Sequence, residues 1–177
     1  MVEEPPGNIV QRIRYWDKAA TAGGGAFSCG VLMGITDNRT IVVEHVERGQ
    51  WSQYEREERI LRCAKLDQER PGVRSVIWHE QEPGSAGKDS AQDTNTKLAE
   101  AGFEAHFAPV TGDKVVRAGP WSSSCEAGRV RLVRGGWNES YIEEHLSFPL
   151  GRLKDQVDAS SGAHNKLIGA GGSGIWA

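Results

Sequence analysis

What this chain lacks narrows its function before any motif is considered. It has no apolar run approaching membrane-spanning length and no signal peptide, so neither a spanning segment nor a membrane partner is expected. Its three cysteines, Cys29, Cys63 and Cys125, are scattered without a C-x-x-C pair, which argues against a disulfide frame or a zinc site. There is no excess of positive charge: the formal net charge is −3, so any nucleic-acid contact must come from local patches. A phosphate loop is also missing. The stretch "WHEQEPGSAGKD" (78–89) places Gly84, Gly87 and Lys88 close together, but the loop pattern needs a glycine where Glu82 stands and a hydroxyl where Asp89 stands. An acid there would repel a triphosphate, which excludes ATP hydrolysis at this loop.

What remains is an ordinary soluble mixture, with 38% apolar and 25% charged residues over 177 positions, enough for one domain with a core. Residues 1–8 read as a linker-like lead, 9–167 as the domain, and 168–177, rich in glycine and ending near Trp176, as a flexible tail. Strands are predicted over 9–19, 26–36 and 39–47, the last two joined by the turn "DNR", as an antiparallel meander. Ser52 and Glu55 form a capping-box pattern ahead of a helix ending near Arg70. A buried strand over 74–82, a helix over 90–102 closed by Gly102 and a short strand over 103–110 follow. A helix over 113–128 is expected to break at Gly119-Pro120. A strand over 129–135 precedes a short helix capped by Asn138, and the last helix is expected from Arg152 to Leu167. The fold class is therefore α/β, a mixed central β-sheet flanked by helices.

Acids occur at unusual places in this pattern. Asp17 lies in the first strand. Glu80 and Glu82, two apart, share a face at the end of the buried strand. Asp155 and Asp158, three apart, share a face of the last helix, away from Leu153 and Val157. Singly, a strand aspartate can simply end a strand, and two helix aspartates can form a solvated face. Together they are costly to crowd unless something positive sits among them. Magnesium or manganese would do so, and a pair of such ions roughly 3.5–4 Å apart can clamp the attacking and leaving oxygens of a phosphodiester displacement.

"RYWDKAAT", "EQEPGSAGKD", "GDKVVRAGPWSSSCEAGRVRLVRGGW" and "FPLGRLKDQVDASSGA", in this order and spacing, resemble the C-terminal nuclease domain of tailed-phage large terminase subunits over about residues 11–167. The resemblance implies an RNase H-like fold and a two-metal endonuclease, using Mg2+ or Mn2+, that cuts concatemeric double-stranded viral DNA during genome packaging. By it, Asp17, Glu80 and Asp155 are expected as catalytic metal ligands, with Glu82 a rival of Glu80 and Asp158 an auxiliary ligand. Leu153 and Lys154 depart from the family's common "HDDQVDA", where a histidine and an acid often stand, which puts a full second metal site in question. Implied partners are double-stranded DNA, an N-terminal packaging ATPase in the full protein, the small terminase subunit and the portal, in the cytoplasm of a bacterial host. The chain is accordingly expected to be the nuclease part of a longer protein.

Lys88 in the glycine loop, Lys114, Arg117, and the alternating pair Arg129 and Arg131 are candidates for phosphate contacts. Trp16 and Trp78 are expected in the core, and His79 and His106 in structural roles. Ser160 and His164 stand four apart without a third partner, so no nucleophile triad is expected. Two rival functions share some of these residues: a structure-selective nuclease of the resolvase or RNase H kind, and a DNA-docking module with a weakened site.

Overall fold

The computed structural model describes residues 1–19, 27–109 and 112–170. In chain order the described residues form β1 (Ile9–Asp17), β2 (Ser28–Thr36), β3 (Ile41–Gly49), α1 (Gln53–Gln68), β4 (Ser75–Gln81), α2 (Ser85–Glu100), β5 (Ala105–Pro109), α3 (Lys114–Glu126), β6 (Val130–Leu132), α4 (Asn138–Ser147) and α5 (Asp155–Ala170). This is the order of elements expected from the sequence. One six-stranded sheet results, ordered β5-β4-β1-β2-β3-β6. The β1–β2 and β2–β3 pairs are antiparallel, while β4 joins β1, β5 joins β4 and β6 joins β3 in parallel. No helix among the described residues is long and apolar enough to cross a membrane.

Strand alternation divides the core in two. On one face Ile13, Tyr15, Val31 and Met33 pack against Trp121 of α3, Tyr141 of α4 and Ala159, Ala163 and Leu167 of α5. On the other, Trp16 and Ile77 pack against Ile60, Cys63 and Ala64 of α1 and Leu98 of α2. Gly162 lets α5 lie directly on β1, because a Cβ there would stand 2.2 Å from the Tyr15 ring.

Several boundaries differ from expectation, each for a tertiary reason. α3 passes through Pro120 without a break. Ala118 and Trp121 flank the proline and are buried, so packing outweighs the one lost backbone bond. α5 begins at Asp155 rather than Arg152, because its cap comes from another helix: the Glu144 carboxylate of α4 accepts from Gln156 N–H at 2.6 Å and Val157 N–H at 3.4 Å. Asn138 is the first residue of α4 rather than its cap. Its side chain instead accepts from Gly135 N–H at 2.7 Å and donates to Val133 O at 3.1 Å, fixing the step from β6 to the helix. α2 starts at Ser85, five residues earlier than expected, so Gly87 and Lys88 belong to its first turn. The Ser52–Glu55 capping box opens α1 as expected.

The lead-in segment meets the far edge of the sheet, where Val2 bridges Val133 beyond β6 and Glu3 pairs with Arg134 at 2.8 Å. Residues 20–26, 110–111 and 171–177 lie outside the described residues, and with them most of the predicted tail and the ends of two predicted strands.

Candidate active site

Register brings the first two acids together. In the parallel β1–β4 pair, Tyr15 lies opposite Trp78 and Trp16 opposite His79, so the next step along each strand sets Asp17 beside Glu80. Alternation puts Tyr15, Asp17, Trp78 and Glu80 on the face covered by α5. The Tyr15 hydroxyl donates to Glu80 Oε1 at 3.4 Å. The first turn of α5 then delivers Asp158 and Asp155 to the same sheet end, where the helix N-terminus favours negative charge.

These groups act on one another's ionisation. The Asp17 carboxyl is held well above the ordinary carboxylate range, first by burial and then by repulsion from Glu80 and Asp158, with Asp155 contributing less. Glu80 is raised by burial, relieved by Arg117 and raised further by Asp158. Asp155 is raised by burial and by Glu144 of α4, while a backbone hydrogen bond from Phe27 favours its charged form. Asp155 thus meets the Phe27 backbone N–H, while Asp158 is paired with Lys114 and Arg117. Both aspartates expected at the site therefore lie beside Asp17, with Asp158 held by the cations of α3. The aspartate face is not turned away from the buried one: every residue from Asp155 to Ser161 is buried.

Two cations complete the cluster. Lys114 Nζ donates to Asp158 Oδ2, and Arg117 places Nη1 3.4 Å from Glu80 Oε1 and Nη2 3.6 Å from Asp158 Oδ1. Both residues lie on α3, three apart, and the N-cap Asp113 accepts from Val115 and Val116 N–H to start that helix beside the acids. As the side chains stand, no three His, Cys, Asp or Glu residues among those described form a group that could hold an ion. The donor set nonetheless fits one. It consists of carboxylate oxygens on three elements, crowded enough to repel each other, which is the chemistry that hard divalent cations relieve. Nucleases of the RNase H-like fold generally use divalent metals.

The other sequence candidates fall into two groups. Glu82, the rival of Glu80, is exposed beyond the end of β4 and lines one cavity with Glu80 and Lys18. Lys88 is exposed on the first turn of α2. Arg129 and Arg131 do not join the site. β6 is the edge strand farthest from β4, and Arg129 precedes its first residue, at the sheet end opposite Asp17. The Arg131 guanidinium folds back on Gly128 O at 2.8 Å and Val130 O at 3.0 Å. Trp16 is fully buried; Trp78 is partly buried, with Lys166 Nζ 3.8 Å above its ring. His79 is buried against Asn95 and His106 pairs with Glu104. Ser160 bonds Tyr141 and His164 bonds Ser124, so the two do not act on each other. Sequence reasoning did not anticipate Tyr15 or Glu144, whose roles depend on which strand and helix lie alongside.

Comparison with known proteins bears on family and fold. Residues 14–167 match the family described as terminase RNaseH-like domain. No curated protein sequence matches the chain. Among solved structures, T. thermophilus RuvC in complex with Holliday junction substrate superposes with a TM-score of 0.53 at 11% identity, covering 92% of this chain and 97% of that one. The yeast mitochondrial Holliday junction resolvase Ydc2 gives 0.56 at 10% identity, covering 95% and 83%. At such identities the likeness is one of fold: a mixed sheet flanked by helices, of the RuvC and RNase H-like kind.

Proposed function

We propose that this chain, which belongs to the terminase RNaseH-like domain family, is a metal-dependent endodeoxyribonuclease that cuts concatemeric double-stranded viral DNA during genome packaging. The observation that supports it most is the convergence of Asp17, Glu80 and Asp158 where β1, β4 and α5 meet. Asp17, Glu80 and Asp158 are the residues that would hold Mg2+ or Mn2+, with Asp155 supporting from the same helix turn. A pair of bound ions would supply Lewis acidity to the attacking water and the departing 3′ oxygen.

The protein's own groups prepare that chemistry. Tyr15 orients Glu80 through its hydroxyl. Burial and mutual repulsion make Asp17 and Glu80 reluctant to ionise, so a bound cation is what keeps them charged. Lys114 and Arg117 stand beside the acids, where a DNA phosphate would arrive, and Lys88 offers a second phosphate contact from α2. Arg129 and Arg131 have no part in this reading, because they lie away from the cleft. The packaging ATPase, small subunit and portal enter as partners of the longer protein that the family implies.

Nicking of supercoiled plasmid in Mn2+ tests the proposal. Wild type should cut, and Asp17→Asn and Asp158→Asn should not, with unchanged circular dichroism. Wild-type rates in both variants would refute the assignment. A second reading, a structure-selective resolvase, is favoured by the likeness to a RuvC captured with a Holliday junction. A four-way junction cut far faster than linear duplex would decide for it.

A further inference from the structure

Hydrolysis by paired carboxylates does not by itself require cations on those carboxylates, yet two are present. Lys114 occupies one oxygen of Asp158, Arg117 reaches the other, and the same guanidinium spans to Glu80. Asp158 is 3% exposed, so its charge is neutralised by these two partners rather than by water. An oxygen that faces an ammonium or guanidinium group cannot also be the inner ligand of a divalent ion at full strength, because the two positive charges repel.

We propose that Lys114 and Arg117 are resident counter-ions that compete with divalent metal for Glu80 and Asp158 and so set the threshold for metal loading. This rests on reading the acid cluster as a metal site. They are positioning residues: they hold Glu80 and Asp158 together beforehand, and yield when an ion arrives. The geometry suits exchange. The Lys114 side chain is 55% exposed and opens α3 directly after Gly112, at φ +82°, and the cap residue Asp113. Its ammonium can turn into solvent while the Asp113 cap, which holds Val115 and Val116 N–H, stays in place. Arg117 is more enclosed at 22% exposure, and its Nε has no partner among the described residues, so nothing at that atom ties it to its present position. The same exchange would free both cations at the cleft in which DNA binds, so that metal loading and phosphate contact favour each other.

The test is Mn2+ affinity of the protein without DNA, by electron paramagnetic resonance or calorimetry at pH 8, for wild type, Lys114→Gln, Arg117→Gln, the double variant and Arg117→Lys. Each neutral substitution should tighten Mn2+ binding, the double variant by on the order of tenfold, and Arg117→Lys should stay near wild type. In EDTA the double variant should melt below wild type, and added Mn2+ should raise its melting temperature more. A purely structural role would weaken Mn2+ binding or leave it unchanged, and either result in folded variants overturns the proposal while leaving the nuclease reading intact. If no form binds Mn2+, the reading of the acid cluster as a metal site fails, and this inference with it.

Discussion

Two regions of the molecule bury acids among arginines, and they do so differently. On the α1 side of the sheet, Arg14 grips Asp67 through two bonds of 2.7 Å and spends another nitrogen on Gly30 O at 3.1 Å, while Arg12 meets Glu44 at 2.7 Å and Val73 O at 2.7 Å. On the α5 side, Asp17 has no cation of its own among the described residues' ion pairs, and Arg117 divides itself between Glu80 and Asp158 at 3.4 and 3.6 Å. The first arrangement is short and buried, bidentate at Arg14–Asp67, and serves stability. The second is loose, short of positive charge and open on the Lys114 side, which is what a site that must admit another cation requires.

Substitutions should separate the two regions cleanly. The largest effect is expected in catalysis: Asp17→Asn or Asp158→Asn should reduce plasmid nicking in Mn2+ by at least about 1,000-fold, measured at matched protein concentration. Next, Asp67→Ala should leave Arg14 buried and unpaired and cost about 3–5 kcal/mol in urea unfolding, with the nicking activity of the folded fraction unchanged. Third, His79 is fully buried, and burial pushes its pKa down to about 4. Its folded value lies below its unfolded one, so its contribution is complete above the unfolded pKa and is lost as pH falls toward 4. His79→Gln should flatten that acid limb, a difference of up to about 3 kcal/mol between neutral pH and pH 4.

The smallest effect carries the opposite sign. Asp17 is raised above its unfolded value, so it favours folding when protonated and loses that contribution as pH rises through its raised pKa. Asp17→Asn should therefore stabilise the protein in EDTA at alkaline pH, by about 1 kcal/mol, whereas Asp67→Ala destabilises it. A destabilised Asp17→Asn would place this acid in the structural class.

Much of the fold was legible because the strands alternate and the helix signals are local: the Ser52–Glu55 box and Gly102 both act within a few residues. Asp17 and Glu80 were legible as strand-end acids. The relation between Asp155 and Asp158 was not, since an i, i+3 pair shares a helix face whichever member meets β1. Their surroundings come from elsewhere in the chain: Glu144 caps α5 from α4, and the Phe27 backbone N–H meets Asp155. Lys114 and Arg117 looked like free phosphate contacts because nothing local shows that α3 packs against α5 beside the acids. Arg12 and Arg14 carry no local sign of their buried partners Glu44 and Asp67, which lie 32 and 53 residues away.

The most direct test of the central claim is anomalous diffraction from crystals soaked in Mn2+. The account predicts a peak coordinated by oxygens of Asp17, Glu80 and Asp158, with the Lys114 ammonium displaced from Asp158. A fully soaked crystal with no peak there, and Lys114 still on Asp158, would contradict it.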